Sequence, residues 1–445
     1  MRLISQWIVF EQLNSLHAFQ MIPLRFFVGL GICLVFQGWA GAQTLSLGRL
    51  IERAIESHPS IRSQLSNEKS AQLGIETAQY QRYPTPQLTL ETVKKSNSDT
   101  TYSGADGVAT IRITQPIFNG GLFSAQLDKA KGGLLLSQAS VDEARRQIAL
   151  RVVQAYAEWV VAELKAQSVE KSLEVHQKLL QQAKNRIKEG VSPASDLSLI
   201  QGRLDTTSAE LFAAKLQAEL SIQKLGELTD TTLSSKDLKR EMTGPLMPAL
   251  KIESLLANAQ MYSPELQKAK AQTLISRANV KEKESALKPD IYVRAERQYG
   301  NYFSATDTSA HSRIFLGVTS KFGPGFSSLT QIKSAKYQDD ASEFDVLAQE
   351  KLIREQVLND LTVLQSIATR VQAIEGALQA SAAVFESFER QFNSGRKTWL
   401  DLMTVVRDVV QNEIQLAEIR GSELQSSWRL HIVTSNSYSQ TSPKP

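Results

Sequence analysis

The chain has 445 residues, 42% hydrophobic, 22% charged and 7% aromatic, which makes it too long for one compact core and too apolar for disorder. Its 50 basic and 46 acidic residues leave a net charge of +4 with no basic block, a balance that gives nucleic acid nothing to bind. Glycine and proline are sparse, at 23 and 13, so long stretches are free to be helical.

The first feature in chain order is a secretory signal over 1–42. Arg25 precedes an apolar run from Phe26 to Phe36, which ends before Ala40-Gly41-Ala42, small residues at a signal-peptidase spacing. That run is too short for the ~20 residues that cross a ~30 Å hydrocarbon layer, so a retained anchor is disfavoured. Residues 1–20 are long for the start of a signal and carry Glu11, which points to Met21 as the true start. The single cysteine, Cys33, lies inside the run. Cleavage therefore removes every thiol, and with it disulfides and cysteine-based metal sites. Ile32 before Cys33 fits a lipoprotein processing site poorly.

Beyond the signal, landmarks recur at an offset of 205 residues. Ala54, Pro59, Ile61, Ile75, Pro84 and Leu88 correspond to Ala259, Pro264, Leu266, Val280, Pro289 and Val293, and Gly190, Asp196 and Leu197 correspond to Gly395, Asp401 and Leu402. Two repeats are expected, over 43–228 and 250–436, joined by a linker at 229–249 and followed by a disordered tail at 437–445. Each is read as helix, strand, strand, very long helix, turn, helix. The opening helices span about 47–81 and 252–287 and are stopped by Pro84 and Pro289.

Strands are expected at about 87–94, 107–116, 290–299 and 312–322. Leu88 and Leu90 share one face of the first, and Ala109, Ile111 and Ile113 alternate with Thr110, Arg112 and Thr114 in the second. Ile291, Val293 and Ala295 alternate with Tyr292, Arg294 and Glu296, while Ile314, Leu316 and Val318 form the fourth apolar face. Such alternation fits barrel strands between lipid and water, although amphipathic strands of a soluble sheet share the same period. Polar loops at 94–106 and 300–312, and aromatic Tyr83, Phe118, Tyr299 and Phe322 near the strand ends, match a membrane interface.

The long helices, at about 123–189 and 326–394, carry a heptad seam. Ile148, Ala155, Ala162, Val169 and Ala183 alternate with Val152, Trp159, Ala166, Leu173, Leu180 and Ile187. Moving 205 residues on gives Ile353, Asp360, Ile367, Ile374 and Phe388 with Val357, Leu364, Val371, Leu378, Phe385 and Phe392. A 3.5-residue period held this long means coiled-coil packing, in rods of about 100 Å at 1.5 Å per residue. Both rods end at a glycine turn, with tips at 190–194 and 395–398.

These residues resemble the TolC-like outer-membrane efflux and secretion proteins over essentially the whole mature chain. The resemblance rests on the duplicated His58-Pro59 and Ser263-Pro264 helices, the strand exit from Gln115 through Pro116, Phe118, Gly120 and Gly121, and the two tips. It implies a homotrimer in the Gram-negative outer membrane, with four strands per chain in a twelve-stranded β-barrel continued by a coiled-coil α-barrel across the periplasm. It also implies an exit duct whose tips dock a periplasmic adaptor linked to an inner-membrane ABC or RND transporter. The matching tip positions are Arg186, Gly190, Val191, Ser192, Gly395, Arg396, Lys397 and Thr398. The first tip looks more like the type I secretion branch than the drug-efflux branch.

Such tunnels are often closed by carboxylates, and Glu386 with Glu389 are the candidates for a periplasmic constriction; the competing reading is a solvated face with Glu386 paired to Arg390. No cofactor, metal, nucleophile or P-loop motif is present in the sequence. A periplasmic adaptor would need one hairpin flanked by β-modules, and a secreted enzyme would need a non-repeating catalytic region; the duplication favours the duct over both.

Overall fold

A computed structural model describes residues 44–94, 101–190, 194–245, 251–307, 309–320 and 324–435. The signal, the tail, Val191, Ser192 and Phe322 lie outside the described residues. The first repeat comprises α1 (Leu47–Ser57), α2 (Pro59–Tyr80), β1 (Thr85–Thr92), β2 (Gly107–Asn119), α3 (Leu122–Lys188) and α4 (Ala194–Thr229). The second comprises α5 (Ile252–Met261), α6 (Pro264–Ser285), β3 (Asp290–Tyr299), β4 (Ala310–Thr319), α7 (Ser327–Asn393) and α8 (Trp399–Thr434). Both rods, α3 and α7, have 67 residues, and both return helices have 36.

The opening helices differ from expectation, because each is broken in two. His58 and Ser263 hold extended backbone, with ψ of 129° and 114°, since the following proline excludes the helical region for its predecessor. Each proline then occupies the first turn of a new helix, where its missing N–H costs nothing. The Nδ1 of His58 accepts from Ser60 N at 3.2 Å, and the hydroxyl of Ser263 accepts from Leu266 N at 3.2 Å. Strand β1 starts at Thr85 and β2 runs on to Asn119, through Pro116.

The two rods lie in one layer with other helices between them. Toward the tips, α3 lies between α4 and α8, and α7 packs on the far side of α8; toward the strands, α3 lies between α2 and α6, and α6 separates it from α7. Both expected seams face these neighbours: Ile148, Val152, Trp159 and Val169 are buried in α3, and Ile353, Val357 and Ile367 in α7. Helix α6 is tied to α3 by Lys129–Glu282 at 3.0 Å and Arg146–Glu265 at 2.9 Å, and to α7 by Lys336–Glu284 at 3.4 Å.

The principal core sits midway along the rods. There Leu47, Leu50 and Ile51 of α1 pack on Val152, Tyr156 and Trp159 of α3 and on Leu225 of α4. The chain after α4 crosses this core: Leu45 bridges to Leu238, and the Tyr156 hydroxyl donates to Lys239 O while accepting from Glu241 N at 2.9 Å. Burial raises the Tyr156 phenol to about 12, so it remains a donor at any physiological pH.

Candidate functional site

The four strands form one antiparallel sheet in the order β1-β2-β3-β4. Cross-strand pairs share a face, and the register places Leu88 opposite Ile111, Ile113 opposite Ala295, Ala295 opposite Ile314 and Val293 opposite Leu316. This apolar face is uncovered in the single chain: Ile314 is 80% exposed and Leu316 74%. Its one charge is Arg297, near the loop end, whose guanidinium lies 5.3 Å over the Tyr299 ring, the geometry of a side chain reaching from apolar surface to the interface. The opposite face is polar, with Thr110, Arg112, Thr114, Arg294, Glu296 and Gln298. An uncovered apolar face of this kind is suited to lipid, and lipid tolerates no unpaired strand edge. Strands β1 and β4 are such edges.

Beyond the strands the two hairpin loops are joined to each other. Ala105 N donates to Asn301 O at 2.7 Å and Ala305 N to Ser103 O at 2.8 Å. Asp307 is held well below the usual carboxylate range by hydrogen bonds from Ser309, Asn301 and His311.

The strand-to-helix turn is narrower than the sequence suggests. Pro116 and Phe118 belong to β2, where a register shift between them inserts Ile117 and sets Phe118 opposite Ile291, the bend a bulge gives a strand leaving a sheet. The turn itself is Gly120 and Gly121, at φ of 65° and 97°. A Cβ on Gly120 would meet Lys288 Cβ at 2.6 Å and Ser285 O at 2.8 Å, so only glycine fits. The equivalent pair is Gly325 and Phe326, both at positive φ. An aromatic residue in that region is strained, and its sequence position, 205 residues after Gly121, is the signal that marks it.

At the tips, Gly190 and Gly395 take φ of 75° and 77°. Gly395 N donates to Phe392 O at 3.0 Å and Arg396 N to Gln391 O at 2.9 Å, a Schellman closure of α7. Thr398 and Asp401 cap α8 reciprocally: Asp401 N donates to the Thr398 hydroxyl at 3.2 Å, and Thr398 N to the Asp401 carboxylate at 3.1 Å. The amide and hydroxyl of Thr398 lower the Asp401 carboxyl.

Arg186 reaches across from the other tip. It donates to Phe392 O at 2.7 Å, with its guanidinium 4.4 Å over the Phe392 ring. Lys397 lies 4.4 Å over Phe388. Both cations are half-buried braces over a small core of Leu179, Phe392, Leu402 and Met403, into which Phe385 and Phe388 also pack. Gly190, Gly395, Arg396 and Thr398 are exposed. Glu386 and Glu389 are exposed on α7 beside this core, and among the described residues no ion pair joins Glu386 to Arg390. The brace from Arg186 and a buried Asp360–Arg429 pair within the second seam, with Arg429 Nε 2.8 Å from Asp360 Oδ1, are long-range contacts that no spacing in the sequence announces.

Among the described residues no cluster of His, Cys, Asp and Glu could hold a metal ion, and no helix is long and apolar enough to cross a membrane. Two segments, 50–229 and 255–434, each match the family model described as outer membrane efflux protein. The chain belongs to the outer membrane efflux protein family. The matches start at 50 and 255 and end at 229 and 434, in each case 205 residues apart, so the family unit and the internal repeat coincide.

This outer membrane efflux protein is 21% identical over 352 residues to outer membrane efflux protein BepC of Brucella suis, covering 78% of this chain and 76% of BepC. It is 23% identical over 305 residues to outer membrane protein TolC of Vibrio cholerae, covering 66% and 69%. The fold is that of the Campylobacter jejuni CmeC outer membrane channel, with a TM-score of 0.75, 13% identity and 89% and 87% of the two chains covered. It is therefore an outer-membrane channel-tunnel, an exit duct of efflux.

Proposed function

We propose that three copies of this efflux protein close head to tail into one duct that exports solutes, and that its tips dock a periplasmic adaptor. The observation that carries this reading is a matched pair of open edges. In the sheet, β1 and β4 are each paired on one side only. In the helical layer, α7 exposes Leu329, Tyr337, Phe344, Leu347 and Leu352 along its strand-proximal part, while the opposite edge exposes Leu73 and Tyr80 of α2 and Phe212 and Leu216 of α4. Two different edges joining heterologously generate a ring when the rotation closes. An even strand count lets β4 meet the next β1 antiparallel, and three copies supply the twelve strands of a lipid-facing barrel.

Gly190, Gly395, Arg396 and Thr398, with Val191 and Ser192, form the docking surface in this reading, and Arg186 and Lys397 shape it from behind. Glu386 and Glu389, which make no ion pair among the described residues and would be repeated three times around the axis, form a periplasmic constriction in this reading. The duct carries out no catalysis, and the adaptor's inner-membrane transporter, ABC or RND, supplies the energy. A type I role would extend the cargo to secreted proteins.

The mature chain lacks cysteine, so a single Arg396→Cys variant carries a photo-crosslinker at one defined place. Crosslinking in cells is expected to capture a periplasmic adaptor, and Gly395→Val is expected to abolish both capture and export with the outer-membrane assembly intact. Undiminished export by Gly395→Val contradicts the docking role.

A further inference from the structure

The polar face of the sheet holds an imbalance of charge that the duct reading does not require. The register aligns Gln87, Arg112, Glu296 and Arg313 in one row across all four strands, and Thr85, Thr114, Arg294 and Phe315 in the next row toward the helices. These two rows contain three arginines and one carboxylate. Glu296 is shared, at 3.1 Å from Arg112 Nε and 3.8 Å from Arg294 Nε. Arg294 is also held by its guanidinium lying 4.4 Å over the Phe315 ring, a stacking that fixes the charge without neutralising it. Arg313 is exposed and makes no ion pair among the described residues.

The flanking rows do not cancel the excess. Outward lie Thr89, Thr110, Gln298 and His311, and inward Pro116, Tyr292 and Gly317. Two further carboxylates share this face, Glu91 toward the loops and Asp290 toward the helices, each four residues from the nearer of the two rows, about 14 Å at ~3.4 Å per residue and beyond the ~8 Å screening length of physiological salt. The two rows are left with a local excess of two guanidiniums per chain, charges that no physiological pH removes. Neutralising Glu296 would need only one arginine.

We propose that Arg112, Arg294 and Arg313 form a cationic band inside the barrel that draws anionic solutes into the exit and disfavours cations. The inference rests on the duct reading, because only closure of the sheet turns its polar face into a lumen. The apolar face must meet lipid, where a charge near the midplane costs roughly 2–4 kcal/mol, so the arginine face looks inward. Three residues separate the row of Glu296 from the last pair, Tyr299 with Ala310, which sets the band about 10 Å below the outer rim at ~3.4 Å per residue. Rings of basic side chains select anions in other pores. The field reaches about 8 Å at physiological salt and about 30 Å at 0.01 M, so the preference is strongest in dilute salt.

The test uses the full mature assembly in planar bilayers, with pyrophosphate as the probe on the barrel side. In 0.01 M KCl pyrophosphate is expected to block the wild-type current from the barrel side, and the band shifts the reversal potential toward anions against the opposite pull of carboxylates at the periplasmic constriction. In Arg313→Gln the block should weaken by at least about threefold and the reversal potential should move toward cations, with both effects lost in 1 M KCl as screening shortens the field. Arg313 makes no ion pair among the described residues of the single chain, so the fold of one chain does not depend on it, native mass spectrometry checks that the variant still assembles, and Arg313→Glu should push selectivity further the same way. Conducting channels whose selectivity and block are unchanged in both variants overturn the band and leave the duct standing. A wild-type protein recovered from outer membranes as a single chain, with no ring to enclose the polar face, overturns the duct, and the band with it.

Discussion

The two repeats match element for element, yet one lies inside the helical layer and the other forms its margin. Rod α3 has neighbours on both sides along its whole length, whereas α7 is flanked on one side only. The residues follow this difference. Gly132 and Ala139 of α3 are small and buried, and a Cβ on Gly132 would meet Ile275 Cγ1 at 2.8 Å. The same positions in α7 are Tyr337 and Phe344, at 74% and 69% exposed. Duplication kept the rod, and each copy was fitted to what covers it: close-approach residues where α6 presses against α3, and large apolar ones where a second chain is to cover α7.

The polar pairs show the same mixture of conservation and divergence. His176 bonds Thr207 at 3.2 Å in the first hairpin, and Ser381 bonds Asn412 at 3.2 Å at the same two positions in the second. Glu170–Lys215 at 2.8 Å is repeated as Glu375–Arg420 at 3.1 Å. The exception is Glu158–Lys224, an open pair at 2.9 Å. Its counterpart basic residue, Arg429, turns inward to Asp360, which is 1% exposed in the second seam.

The sharpest way to break this comparison is at that exception. Arg429→Ala leaves Asp360, 1% exposed, without its partner, and it should cost about 3 kcal/mol, read as a fall in the denaturant midpoint; Glu158→Ala should cost under about 1 kcal/mol. Equal losses would erase the difference between the repeats. Next, Gly132→Phe overpacks α3 against α6 and should cost about 3 kcal/mol, seen as loss of folded protein from the outer membrane. Phe344→Asp should leave the secondary structure of the single chain unchanged by circular dichroism but prevent assembly.

Much of this was legible in the sequence, because period and offset are local signals. The 205-residue repeat, both seams and the alternating strands need only the spacing of apolar residues. The break at Pro59 and Pro264 was less legible: the helical period runs straight through it, and the interruption is steric. The tip residues gave up their positions but not their duties, since Arg186 lies 206 residues from Phe392 and no local pattern records that contact. Asp360 could be seen as a polar residue on an apolar seam, yet its partner is 69 residues away.

The smallest predicted effect is a pH dependence at one of the two matched polar pairs and not at the other. Burial, with the Arg203 charge nearby, lowers the His176 imidazole. The unfolded chain therefore takes up the proton first, so the stability His176 permits is full above about pH 6.5 and declines as pH falls below it. Ser381 and Asn412 do not titrate. Hydrogen exchange near 176 and 207 should accelerate more between pH 7.5 and 5.5 than exchange near 381 and 412, after correction for intrinsic rates, and His176→Asn should remove the difference.

The central claim is that the uncovered edges of one chain are the covered edges of a ring. Native mass spectrometry of the protein extracted from outer membranes in mild detergent tests it directly. Three copies of the mature chain are expected, falling to one in Phe344→Asp. A wild-type protein that remains a single chain, with its α7 stripe and its β1 and β4 edges uncovered, would contradict it.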